Sequence, residues 1–212
     1  MKKAISILWI GLLVLGCKKN TNVPMFFDYG SVKEGVYDNT FFKFKLPINP
    51  DWYILNNDEA DRLYQSGNDL VSGNNESLKK TLDASMVNVA KLITVFKLEL
   101  GATDDFNPSI LINAENLKNY PGVDTPTKYL AQAKALIRRS AMDIEYIEEK
   151  DKVQIGSQDF VFMSLKNKGY GYEILQDYYV TLKKGFAISF IMSYTTEEDK
   201  DVLYKMFDKL KI

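Results

Sequence analysis

Apolar and polar residues alternate most regularly between positions 157 and 194. Residues 159–166 predict one strand, Asn167-Lys168-Gly169 a tight turn, residues 170–182 a second strand, Lys183-Lys184-Gly185 another turn, and residues 186–194 a third strand. In the last of these, Phe186, Ile188, Phe190, Met192 and Tyr194 share one face, and Ala187, Ser189, Ile191 and Ser193 take the other. The period then lengthens. After Thr195 or Thr196, Leu203, Met206, Phe207 and Leu210 recur at helical spacing, so a helix can lie on the apolar face of that sheet.

The preceding chain extends the pattern. Residues 32–37 and 41–46 predict a hairpin turned at Asp38-Asn39, and residues 51–55 a short strand or corner with Trp52 as a core plug. Asn57 is placed to cap a helix whose Ala60, Leu63, Tyr64, Leu70 and Val71 trace one face. Residues 76–85 form a second helix on Leu78, Leu82 and Met86. Residues 91–100 return to strand with Leu92, Thr94 and Phe96 opposite Ile93 and Val95, and residues 109–115 follow as another. Thr125-Pro126 opens a helix reaching Arg139 with Leu130, Ala133 and Ile137 inward. Residues 144–148 and 152–155 flank a predicted turn at 149–151. Phe160-Val161-Phe162-Met163, apolar on both sides, reads as a central strand. The fold class expected is α/β of the α+β kind: a mainly antiparallel central sheet covered by helices on both faces, an α-β-α sandwich forming a single domain over 32–212.

The N-terminus has a different pattern. Met1-Lys2-Lys3 precedes an apolar run over 4–16 that is too short to serve comfortably as a membrane span, so residues 1–16 read as an export signal. The run ends Leu13-Val14-Leu15-Gly16-Cys17, which resembles a bacterial lipobox. That resemblance implies acylation of Cys17, which becomes the first residue of the mature chain, and several acyl chains hold a protein firmly at a bilayer. Residues 17–31 would be a tether, with the aromatic pair Phe26-Phe27 expected to dock on the body. The expected location is a bacterial cell envelope. Lys18 replaces the aspartate associated with inner-membrane retention, which by analogy points to the outer membrane, facing the periplasm.

Composition narrows the chemistry. With 46% hydrophobic and 26% charged residues, the chain can bury a core. A net charge of -1 gives no general attraction to nucleic acid. There is no histidine, which removes His-ligated metals and every Ser–His or Cys–His nucleophile pair. Cys17 is the sole cysteine, so the body has no intramolecular disulfide. No cofactor is expected. Tyr170 and Tyr172 share a strand face with Tyr178 and offer a partner surface for an envelope protein or glycan. Glu99, Asp104 and Asp105 beside Asn107 bunch oxygen ligands that could hold calcium. They lack the alternating spacing of a dedicated loop, and a solvated acidic loop is the plainer reading. The principal expectation is a lipid-anchored accessory or binding protein without catalytic activity. The alternative is a carboxylate-dependent hydrolase of glycans or other substrates, drawing acids from 58–61 and 99–105. A third class, a carrier that shields apolar cargo, requires an internal cavity.

Two passages carry a family resemblance. Phe42-Lys-Phe-Lys-Leu-Pro47, with Trp52 soon after, resembles the opening of the PsbP-like family, which joins the photosystem II extrinsic protein with the yeast Ran-binding import factor and DcrB-like bacterial lipoproteins. The stretch from Tyr178 through Lys183-Lys184-Gly185 to Met192, followed by Tyr194 and Glu197, Glu198 and Asp199, is similar to that family's paired strands and closing helix. The resemblance implies an α-β-α sandwich without an inherited active site, in a family of accessory and binding proteins. It carries over no functional residue.

Overall fold

The computed structural model describes residues 26–140, 142–169, 171 and 173–212. The leader, Cys17, Tyr170 and Tyr172 lie outside the described residues. A small sheet comes first, built from β1 (Ser31–Lys33), β2 (Val36–Asn39) and β3 (Phe44–Pro47) in that order. A seven-stranded sheet follows, from β4 (Tyr53–Ile54), β5 (Val89–Phe96), β6 (Ser109–Asn116), β7 (Ile144–Ile155), β8 (Gln158–Asn167), β9 (Ile174–Lys183) and β10 (Phe186–Tyr194). Its spatial order is β4-β5-β6-β10-β9-β8-β7, with every pairing antiparallel. Among the described residues, four α-helices complete the fold: α1 (Asn57–Ser72), α2 (Glu76–Ser85), α3 (Pro126–Ile137) and α4 (Glu197–Phe207).

Two apolar clusters hold these elements together. The first joins Ala60, Tyr64 and Val71 of α1, Leu78 and Leu82 of α2, and Leu130, Ala133 and Ile137 of α3 to sheet residues including Leu111, Val161, Met163, Ala187 and Ile191. The second joins Tyr37, Phe44 and Leu46 of the small sheet, Trp52, and Leu203, Met206 and Phe207 of α4 to Ile110, Ile112, Phe160, Ile188, Phe190 and Met192. Adjacent residues of β10 therefore feed different clusters, as a two-residue period requires. Every residue of β10 is buried, and it occupies the centre of the sheet. The role expected for residues 160–163 thus belongs to β10, because β8 stands second from the edge.

Local chemistry explains the helix limits and several departures from the sequence pattern. Asn56, one residue earlier than expected, caps α1 reciprocally with Glu59: Glu59 N donates to Asn56 Oδ1 (3.0 Å) and Asn56 N donates to Glu59 Oε2 (2.9 Å). Thr125 and Thr196 cap α3 and α4 through their hydroxyls. The expected turn at Asp38-Asn39 is part of β2. The chain instead turns at Glu34-Gly35, both with positive φ, and again between β2 and β3. A register shift between Lys91 and Ile93 places Leu92 with Ile93 and Val95 in the second cluster, while Phe96 joins the first. Residues 149–151 form no turn. β7 runs through them, absorbing the irregularity as two register shifts against β8.

Candidate functional site

One end of the large sheet carries a concavity. The last residue of β6, Asn116, pairs with Phe186 at the start of β10, which brings the loop after β6 beside the β9–β10 turn. Between them lies an open cleft of about 730 Å³, lined by Leu117, Lys118, Tyr120, Lys183, Lys184 and Phe186 among others. Lys184 and Gly185 make the two-residue turn with φ of 53° and 78°. A lysine in this left-handed region is costlier than asparagine or glycine would be.

An aromatic group forms one wall. Phe186 stands 5.4 Å from Phe42, 5.5 Å from Phe27 and 6.0 Å from Phe41, measured between ring centroids. The Lys184 ammonium lies 4.6 Å from the centre of the Phe41 ring. Burial, then the charges of Lys184 and Lys43, hold the Lys183 ammonium below its ordinary pKa. Among the described residues, Lys43, Lys118, Lys183 and Lys184 have no carboxylate partner, whereas Asp124 at the cleft rim is paired with Lys128 at 2.6 Å. The cleft is therefore cationic with an apolar side, suited to an anion that carries hydrophobic surface.

The N-terminal segment reaches this wall. Phe27 packs on Tyr29, Phe41, Phe42 and Phe186, while Phe26 is 85% exposed. Asn39 fixes the segment by donating from Nδ2 to the Asp28 carbonyl (2.9 Å) and accepting at Oδ1 from Phe42 N (2.8 Å). Gly30 is required here: its φ is 83°, and a Cβ would fall 2.4 Å from the Tyr37 ring.

A second polar group lies inside the body. Asp177 Oδ2 accepts from Tyr194 (2.9 Å) and Tyr204 (2.7 Å), and Tyr179 stands 3.2 Å from the Tyr204 oxygen. Because Tyr204 donates its one proton to Asp177, Tyr179 donates to Tyr204. Burial, followed by the Asp177 charge for Tyr194 and by the Tyr179 contact for Tyr204, raises both phenols, keeping them neutral donors. The cluster clamps α4 to β9 and β10.

The residues nominated from sequence fall elsewhere. Tyr178 offers no partner surface: it is 4% exposed, packs in the first apolar cluster and donates to Gln176 Oε1 at 3.2 Å. Inward strand alternation, rather than exposure, sets its direction. Glu99, Asp104 and Asp105 lie around the loop after β5. Among the described residues, no group of three or more His, Cys, Asp or Glu side chains is placed to hold a metal. Asn107 spends its amide on Leu98, accepting from its N–H (2.9 Å) and donating to its carbonyl (2.7 Å). Glu59 is occupied by the α1 cap, and Asp61 pairs with Lys91. None of these acids lines the cleft or the smaller groove of about 370 Å³ beside β2, which contains Glu34 and Asp38. The cleft lysines went unrecognised in the sequence because each reads as a turn or a solvated end. Only the pairing of β6 with β10 gathers them.

No family model matches the chain, and no curated protein matches it. Solved structures similar to it include the cyanobacterial PsbP (CyanoP) of Synechocystis, with TM-score 0.47 and 14% identity over 86% of this chain and 96% of that one. Another is LpqN of Mycobacterium tuberculosis, described as involved in cell envelope biogenesis, with TM-score 0.46 and 13% identity over 80% of this chain and 82% of that one. A Pseudomonas aeruginosa protein of unknown function matches at TM-score 0.43 and 8% identity, over 53% of this chain and 78% of that one.

Proposed function

We propose that the chain is an exported, lipid-anchored accessory protein of a bacterial envelope, held at the outer membrane facing the periplasm, whose body binds rather than catalyses. We place the binding site at the lysine-rimmed cleft between the β6 loop and the β9–β10 turn. The observation that carries this reading is the cleft itself: Lys118, Lys183 and Lys184, which have no carboxylate partner among the described residues, line it together with the apolar ring of Phe186. Such a surface attracts an anion by charge and retains its hydrophobic part by burial. The anchor rests on the lipobox-like run ending in Cys17. The two separate core clusters support a three-layer body of the PsbP-like kind, with α1–α3 on one side of the sheet and α4 on the other.

Two measurements test the reading. Labelled palmitate should enter the native chain and fail to enter Cys17→Ser; equal labelling, or none in either, defeats the anchor. A photo-crosslinking residue at Pro121, an exposed position lining the cleft, should form adducts in intact envelopes that the same residue at Val87 does not, since Val87 is an exposed position away from the cleft lining. Equal adducts at both positions defeat the binding site.

A further inference from the structure

We propose that the end of the sheet bearing Lys43, Lys118, Lys183, Lys184 and Phe26 lies directly on the anionic phospholipid surface of the membrane that holds the chain. This inference rests on the anchoring proposed above and specifies which face the anchor presents. Three independent observations converge on it.

The first is charge. Many lysines elsewhere are neutralised within the molecule, such as Lys97 with Asp199 (2.9 Å), Lys134 with Glu149 (2.6 Å) and Lys168 with Glu145 (2.6 Å). The four at this end have no such partner among the described residues, although the chain as a whole is slightly acidic. Two of them, Lys43 and Lys184, occupy left-handed backbone positions with φ of 56° and 53°. Turn geometry alone favours asparagine or glycine there, so a lysine at both points to a use for the charge.

The second is the ring of Phe26. Its neighbour Phe27 is seated in the aromatic wall, so the fully projecting Phe26 is displayed from the lysine end rather than from a remote part of the surface. An apolar ring bordered by lysines is the composition of a surface that enters the headgroup region.

The third is reach. The run from Cys17 to Phe26 spans about 30 Å at most when fully extended. Acyl chains on Cys17 would therefore hold Phe26 within about 30 Å of the bilayer, and Lys18 and Lys19 add positive charge along the same run. Basic segments next to an anionic leaflet gain attraction that decays within a Debye length, about 8 Å at physiological salt. The short tether and the cationic end therefore act together.

Hydrogen exchange on the full lipidated chain provides the test, in phosphatidylcholine vesicles with and without phosphatidylglycerol. Peptides covering 26–29, 116–124 and 182–186 should exchange more slowly only when phosphatidylglycerol is present, and the protection should vanish at high salt. Reversing charge in K118E/K183E/K184E should remove it, each reversal weakening surface association by more than the roughly fivefold expected for loss of one lysine charge. Peptides from α1 and α2 should be unchanged in that variant, which shows that the fold persists. As a variant milder for folding, K118Q/K184Q should give a partial loss. Equal exchange in the two vesicle types overturns the inference. So does equal protection by soluble glycerol phosphate, which would make the cleft a site for a free anion. Protection confined to native envelope membranes, and absent with phosphatidylglycerol, also overturns it in favour of a protein partner while leaving the Pro121 crosslinking result intact.

Discussion

Asp28 joins the N-terminal segment to the turn between β2 and β3. Its carboxylate accepts from Gly30 N (2.8 Å), Thr40 N (3.0 Å) and the Thr40 hydroxyl (2.7 Å). These bonds, the Thr40 hydroxyl foremost, hold its pKa below the ordinary 3.8. The released segment therefore binds a proton more readily than the docked one. Docking is fully supported at neutral pH and weakens as pH falls below about 4 through the lowered value. Accordingly, Asp28→Asn at neutral pH should speed exchange of the Gly30 amide, and the native chain should show the same only on acidification; unchanged exchange in both would refute the role. Tyr204 gives a second expectation. Tyr204→Phe removes a hydrogen bond to a buried carboxylate and should cost about 1.5–3 kcal/mol in urea unfolding. Neither residue stood out in the sequence. Side-chain bonds to backbone or to distant carboxylates leave no periodic trace, and Asp177 sits in a strand where alternation reports direction but not partner.

If the cleft binds as proposed, the β9–β10 hairpin serves stability and binding in opposite senses. Lys184→Asn should relieve the left-handed strain and raise stability by roughly 1 kcal/mol, while reducing association with anionic vesicles. A stabilised variant that binds as before would separate the turn from the site. This hairpin was legible in outline, because five large residues alternate along β10 and the glycine marks the turn. The α4 spacing was equally plain, and Leu203, Met206 and Phe207 are all buried as it requires. β7 was legible only as two pieces, 144–148 and 152–155. No residue along it is buried, so no strong hydrophobic period carries the pattern through its middle, and the charged stretch at 149–151 mimics a turn. Its charges suit an edge strand that must not recruit another chain.

At the scale of the molecule, the two sheets are joined by residues far apart in sequence. Lys45 N donates to the Lys211 carbonyl (2.8 Å), and Lys211 N donates back to the Lys45 carbonyl (3.0 Å). Leu210 beside this bridge is buried in the second cluster. Leu210→Ala should cost about 2–4 kcal/mol in thermal or urea unfolding and increase dye binding to the Phe42–Phe44 region, whereas a loss below 1 kcal/mol would show that the bridge is peripheral. Such long-range pairings explain why the cleft could not be assembled from the sequence. Patterning identifies strands, but the order β6-β10-β9 is set by which surfaces complete the core.

The Lys45–Lys211 bridge also bears on when the protein can mature. A chain synthesised from its N-terminus presents Phe42, Phe44 and Leu46 long before position 211 has been made. Until then the small sheet lacks the backbone partner and the α4 side chains that cover it. Closure of this part of the core thereby waits for residues 203–211, and the early strands stay loose in the meantime.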